Sequence, residues 1–170
     1  IKRIALDTYK AQKRGGRGVN GMKQREEDFV SEMFVASSHD QILFVTNLGN
    51  MFKMKCFEIP EGSKQAKGTN LINLLNLGEG EKISAMIKIK EFNENQYLCF
   101  ATKKGVIKRS NLNLFRNVRR NAVRAINIDE DDEVRSVKLT GGNDELMIAT
   151  RNGKALHIEE DKLRAMGRTA

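Results

Sequence analysis

Apolar residues along this chain come in short runs, and the runs recur. Three of them end in Thr, two variable residues and Gly. They are Ile42-Leu43-Phe44-Val45-Thr46-Asn47-Leu48-Gly49, Leu98-Cys99-Phe100-Ala101-Thr102-Lys103-Lys104-Gly105 and Leu146-Met147-Ile148-Ala149-Thr150-Arg151-Asn152-Gly153. Four residues after each Gly stands a basic or potentially basic side chain: Lys53, Arg109 and His157. A second apolar stretch precedes each run, at Val30/Met33, Ile83/Met86 and Val134/Val137. A third set lies further upstream, at Val19–Met22, Leu71–Leu74 and Val123–Ile126, with 52 residues from Val19 to Leu71 and 52 again to Val123. Three landmarks held in phase through three units indicate an internal repeat. The units run approximately over 19–70, 71–122 and 123–170, within one domain.

The units read as β. Their apolar runs are short, rich in Ile, Val, Phe and Thr, and bounded by Gly, Asn, Asp and charge. Lys-Lys-Gly at 103–105 and Arg-Asn-Gly at 151–153 suit hairpin turns. The Thr-ended runs are apolar at consecutive positions, so both faces of those strands should be buried. Only Glu159–Arg164 has a helical pattern, enough for a turn or two. The fold class expected is all-β: a propeller-like array of four-stranded antiparallel blades. Three units make about three blades, which predicts an open arc with at least one exposed edge, able to associate with another copy. The single proline, Pro60, marks a turn.

Composition narrows the function. The net charge is +8 over 170 residues, which favours a polyanion as partner. No apolar run approaches the ~18 residues needed to span a bilayer, so no membrane partner is expected. Nothing at the start has the form of a signal peptide, and a chain opening at Ile1 reads as a piece of something longer. Cys56 and Cys99 match no metal or redox spacing, which fits a reducing, cytoplasmic setting. Cys99 shares the slot of Leu43 and Met147 and is expected in the core, whereas Cys56 is expected half exposed.

Motifs for other chemistry fail on context. Gly16-Arg17-Gly18-Val19-Asn20-Gly21 fits G-x-G-x-x-G but has neither a strand before it nor a helix after it. The acidic run Asp129–Glu133 aligns with Gly78–Lys82 and with Arg25–Asp28, so it reads as a solvated inter-strand turn and not a metal site. His39 and His157 have no repeated nucleophile partner, and Tyr9 and Tyr97 read as packing residues. No catalytic residue is nominated.

The basic residues are placed with more regularity. Gln12-Lys13-Arg14-Gly15-Gly16-Arg17-Gly18 holds three cations and three glycines without an acid or a large apolar side chain. Such a stretch forms an exposed turn suited to an anion. Lys10 joins it before Val19; Lys64 and Lys67 come before Leu71; Arg116, Arg119 and Arg120 come before Val123, and Arg124 follows. Equivalent connectors of a radial array lie on one rim, so these cations should form a curved stripe. Aromatics are 6% and Trp is absent, which argues against base stacking on a single strand. A duplex bent around the rim and held through phosphates fits better.

Residues 12–18 resemble the glycine–arginine box of the C-terminal domain of DNA gyrase A. Thr46–Gly49, Glu58–Glu61, Ala66–Gly68, Asn73–Leu75 and Met166–Ala170 resemble the same domain, so the likeness runs through essentially the whole chain. Lys13 stands where that family often has Arg, which keeps the charge but loses a bidentate fork. The resemblance implies a β-pinwheel that wraps duplex DNA with a positive hand, so that ATP-driven strand passage yields negative supercoils. It implies gyrase B and the rest of gyrase A as holoenzyme partners, ATP and Mg as cofactors of that holoenzyme and none here, and a bacterial, nucleoid-associated setting. It carries no nucleophilic Tyr onto Tyr9 or Tyr97. Two alternatives stay open: the corresponding domain of topoisomerase IV, or a propeller-like module docking an acidic protein.

Overall fold

The structure is a computed structural model describing residues 1–24, 26–118 and 121–170. Among the described residues nine strands form: β1 (Gln41–Thr46), β2 (Asn50–Lys55), β3 (Ile83–Ile89), β4 (Tyr97–Thr102), β5 (Ile107–Asn111), β6 (Val123–Arg124), β7 (Val134–Thr140), β8 (Glu145–Ala149) and β9 (Ala155–Glu159). Each Thr-ended run is the first arm of an antiparallel hairpin: β1 with β2, β4 with β5 and β8 with β9. The turns share a device. The Thr hydroxyl accepts the amide four residues on, from Asn50, Val106 and Lys154 at 3.1–3.2 Å. Gly49 closes the first turn at φ +82°, and a Cβ there would meet the Ile126 carbonyl oxygen at 2.5 Å.

The upstream apolar stretches do not pair within their own units. β3 lies antiparallel to β1 of the preceding hairpin, from Gln41 opposite Ile89 to Thr46 opposite Ile83. β7 lies on β4 in the matching register, from Tyr97 opposite Thr140 to Thr102 opposite Val134. Both pairings carry a bulge just before the Thr. β6 joins the other edge of the first sheet at Asn50 and Met51 of β2. The sheets therefore run β3-β1-β2-β6, β5-β4-β7 and β8-β9. Four strands per blade is reached only in the first; among the described residues the others hold three and two. The second has a parallel bridge, Arg109 with Ala165, where the first has β6.

Consecutive apolar residues serve two cores. Ile42 and Phe44 of β1 face Phe52, Met54, Cys56, Ile59 and Leu75, while Leu43 and Val45 face Ile87, Leu98, Phe100 and Phe115. β1 and β4 are thus covered on both faces, as their composition requires. β8 is not: Met147 is 70% exposed, and among the described residues β8 pairs only with β9.

Two expectations are corrected. Val30 and Met33 form no strand and are exposed. Cys56 is buried, and burial pushes its thiol above the ordinary range. The short helical pattern near the end forms a single 3-10 turn, Glu160–Lys162, with Glu160 fully buried.

The acidic turns are solvated only in part. Asp129, Glu130 and Asp131 are exposed, but Asp132 is buried. Glu81, two residues before the first pairing position of β3, accepts hydrogen bonds from Thr46 Oγ1 and Asn50 Nδ2, both at 2.7 Å. Asp132 stands likewise before β7 and accepts from Thr102 and from the Lys104 amide at 2.9 Å. Each acid locks the hairpin turn of the preceding unit to the strand it donates. Burial pushes both carboxyls up, but the hydrogen bonds outweigh it and hold them below the ordinary range.

The stability these two acids contribute is complete above about pH 5 and is lost as pH falls through their lowered folded-state values. Glu81→Ala or Asp132→Ala leaves a buried Thr hydroxyl without its acceptor and should cost about 1–3 kcal/mol at neutral pH. Urea denaturation should show that loss shrinking toward acid pH; an undiminished difference there would contradict the latch.

Candidate nucleic-acid interface

The Gly-rich stretch 12–18 is exposed throughout. Lys13–Gly16 form a tight turn, with the Gly16 amide donating to the Lys13 carbonyl at 3.1 Å. Gly15 takes φ +81°, a conformation that strains any side chain at that position. Lys10, Lys13, Arg14 and Arg17 project from the loop, and no hydrogen bond or ion pair of the described protein engages their charges. No ion pair within the described protein has to break before they meet phosphate.

The loop is anchored at its base. The Arg3 amide donates to the Pro60 carbonyl at 3.0 Å, and the Gly62 amide to the Arg3 carbonyl at 2.9 Å. Lys2 Nζ donates to the carbonyls of Ser63, Lys64 and Ala66. The far side is pinned where the Lys23 amide meets the Lys64 carbonyl at 2.8 Å. Tyr9 bridges the two: its hydroxyl donates to the Gly21 carbonyl, and Lys64 Nζ lies 4.3 Å from its ring centroid. Gly68, at φ +78°, lets the 61–69 segment pass so close that a Cβ would meet the Ile1 carbonyl oxygen at 2.9 Å. Two connectors that are separate in sequence, 10–17 and 64–67, are thereby held side by side.

The third connector lies at the outer edge of the first sheet. Leu112, Phe115 and Val118 anchor it in the core, and it runs on to β6 beside β2. Arg116 is exposed; its carbonyl accepts from Lys53 Nζ. Arg124 is exposed and donates to the Leu48 carbonyl while its charge lies near Glu81, so it braces the latch of the first blade. Arg119 and Arg120 lie outside the described residues.

Not every cation faces solvent. Arg109 keeps only 11% of its side chain exposed, stacked 4.5 Å from the Tyr97 ring centroid, with Nη1 3.1 Å from the Gly142 carbonyl and 3.7 Å from the Glu160 carboxylate. His157 pairs with Glu145 at 3.1 Å. Lys108 occupies the slot filled by Phe52 in the first hairpin and donates to the carbonyls of Ala125 and Arg168. The tripeptide Ile1-Lys2-Arg3 repeats Ile107-Lys108-Arg109 letter for letter, and both copies form parallel bridges to a later segment, at Glu61 and at Ala165. That identity, with the matching bridges, was the available signal for how the loop is rooted. Cys99 packs 3.5 Å from Thr140 Oγ1 and 3.8 Å from Glu160, and burial pushes its thiol up. Among the described residues no three His, Cys, Asp or Glu side chains gather as a metal ion would need.

Burial, aided by the Arg168 charge, brings Lys108 down from 10.5 to about 8. The folded chain gives up this proton before the unfolded chain does. Its contribution to stability therefore rises as pH climbs from about 8 to 10.5. Lys108→Met should remove that rise, measured as the wild-type minus variant unfolding free energy across the interval; parallel curves would contradict it.

Comparison with known proteins agrees with this architecture. The family described as "DNA gyrase C-terminal domain, beta-propeller" matches residues 1–37, 40–90, 96–140 and 144–170. The DNA gyrase A protein of Clostridium acetobutylicum is 48% identical over 170 residues, all of this chain and 20% of that protein. Its counterpart from Staphylococcus aureus is 47% identical over 171 residues, all of this chain and 19% of that protein. The chain thus spans about a fifth of the length of these relatives. Among solved structures, the C-terminal domain of a DNA topoisomerase IV superposes with a TM-score of 0.82 at 28% identity, covering 99% of this chain and 51% of that one. A DNA gyrase A C-terminal domain superposes at 0.73 and 24% identity, covering 99% and 54%, which speaks to the fold. With the family matching nearly every residue and the exchanged β-blades in place, the chain belongs to the DNA gyrase C-terminal domain, beta-propeller family.

Proposed function

We propose that this chain is a non-catalytic module that binds duplex DNA and wraps it around its basic rim, serving a type II topoisomerase that introduces negative supercoils. The observation that carries the reading is the joined pair of connectors. Lys10, Lys13, Arg14 and Arg17 stand exposed beside Lys64 and Lys67, on a loop rooted by backbone hydrogen bonds. Arg116 and Arg124, with Arg119 and Arg120, would carry the duplex onward along the outer edge. Phosphates supply the affinity, since among the described residues no α-helix is present to read a groove and few aromatic faces are offered for stacking. Family membership favours gyrase over topoisomerase IV, because relatives 47–48% identical to this chain are gyrase A proteins.

On this reading the holoenzyme partners are gyrase B and the rest of gyrase A, in a bacterial cytoplasm at the nucleoid. ATP and Mg belong to the holoenzyme, and this chain holds neither. Docking of an acidic protein is the competing use of the same cations.

If about 6–10 phosphates are engaged, duplex affinity should fall roughly 10³–10⁵-fold between 50 and 200 mM salt. The triple variant Lys13→Ala, Arg14→Ala, Arg17→Ala should lower the slope of log affinity against log salt by about 3 × 0.9. In the full-length gyrase A protein it should abolish negative supercoiling while sparing relaxation. Flat binding across that salt range, or unchanged supercoiling, would refute the proposal.

A further inference from the structure

The loop that carries Lys10, Lys13, Arg14 and Arg17 has no core beneath it. Residues 5–21 are exposed throughout, and none of 10–21 belongs to either hydrophobic cluster. Its backbone contributes one turn, closed by the Gly16 amide on the Lys13 carbonyl. Gly15, Gly16, Gly18 and Gly21 give this stretch more conformational freedom than any other residues would. Its cations stand beside Lys64 and Lys67, and like charges repel. A segment of this composition does not hold a closed shape by itself.

Tyr9 supplies what the composition lacks. It follows the 3-10 turn Leu6–Thr8 at the entry to the loop. Its hydroxyl donates to the Gly21 carbonyl at 2.7 Å, across 12 residues. Among the described residues this is the one hydrogen bond that joins 10–21 to a residue outside that stretch. The same ring has Lys64 Nζ 4.3 Å from its centroid, so its face takes up a cation of the other connector. Two residues beyond Gly21, the Lys23 amide donates to the Lys64 carbonyl at 2.8 Å. Lys64 is thus held by its backbone at the exit of the loop and by its ammonium at the entry. Packing does not account for the residue: Tyr9 is 39% exposed and belongs to neither core.

We propose that Tyr9 is the positioning residue of the duplex-binding joint: it clasps the Gly-rich loop shut and couples it to Lys64, so that both connectors meet phosphate as one preformed surface. The proposal rests on the DNA-binding reading above and deepens it. Tyr9 acts in the free chain and needs no contact with DNA. A duplex engages the closed loop, so apparent affinity scales with the fraction of chains in which the loop is closed. Removing the hydroxyl lowers that fraction and leaves the ring and every cation in place. The number of phosphates engaged in the complex is then unchanged, and so is the slope of log affinity against log salt. A residue that contacts phosphate behaves differently, because its loss lowers affinity and slope together.

Tyr9→Phe in the 170-residue chain tests it, with Lys64→Met as the contrast. In the free chain, the Lys23 amide of Tyr9→Phe should exchange with solvent about three- to tenfold faster, while the urea midpoint stays that of the wild type. Duplex binding, followed between about 50 and 200 mM salt, should weaken about three- to tenfold at every salt concentration with the slope unchanged. Lys64→Met should instead lower the slope by about 0.9. Wild-type exchange at Lys23, or wild-type affinity for duplex, in Tyr9→Phe overturns the proposal. A reduced slope does so as well, by making the hydroxyl part of the contact surface, and a lowered urea midpoint by making Tyr9 a packing residue. A wild-type chain that binds no duplex refutes the functional reading and this role with it. Wild-type binding to which Tyr9→Phe is indifferent overturns the role alone.

Discussion

The structure depends on one physical constraint: a β-strand covered on both faces must also have both of its edges paired. β1 and β4 are apolar at every consecutive position between their ends, so each needs a neighbour on either side as well as above and below. A hairpin supplies only one of those neighbours. The other comes from the next unit, as β3 on β1 and β7 on β4, and the acid that precedes each donated strand ties it to the receiving turn. Neighbouring blades are therefore hydrogen-bonded into one another. Separating them would expose backbone donors and acceptors together with the cores beneath.

The basic surface follows from that exchange. A chain that donates a strand backwards must cross between blades, and the crossings are the connectors that hold the exposed cations. They are rooted by their ends and not by a core. Lys2 and Arg3 grip the 61–69 segment, and Leu112, Phe115 and Val118 hold the start of the 116–124 segment. Among the described residues Lys10, Lys13, Arg14 and Arg17 meet no acid, and three of the buried or half-buried acids are engaged elsewhere. Glu81 and Asp132 face the hairpin turns, and Glu160 faces Thr140 and Arg109. Segregating the two signs of charge costs folding little, because the acids are held by hydrogen-bond donors inside the latches.

Repeats, strand type and the two-sided burial of the Thr-ended runs were legible in the sequence, because apolar spacing encodes them directly. The exposure of residues 12–18 was legible for the same reason: glycine and cations cannot build a core. Partner choice was not legible. Nothing local in Ile83–Ile89 says that it pairs with the preceding hairpin, since its alternation satisfies either neighbour. The same ambiguity put Val30 and Met33 in a strand that has no partner here. Asp132 read as one more acid in a solvated run, and only the exchanged strand brings Thr102 over it. Nothing in the sequence shows that carbonyls and a carboxylate surround the charges of Lys108 and Arg109. The identity of Ile1-Lys2-Arg3 with Ile107-Lys108-Arg109 is legible in the sequence, and both copies bridge in parallel to a later segment.

The central claim is that the rim bends duplex around itself and does not merely hold it. The most direct measurement is topological. A nicked plasmid is saturated with the chain at low salt, sealed by ligase and stripped of protein, and its topoisomers are resolved. Wrapping with a positive hand predicts a positive shift in linking number that grows with the ratio of protein to DNA and vanishes at high salt. A topoisomer distribution identical to that of plasmid sealed without protein, under conditions where binding is complete, would contradict it.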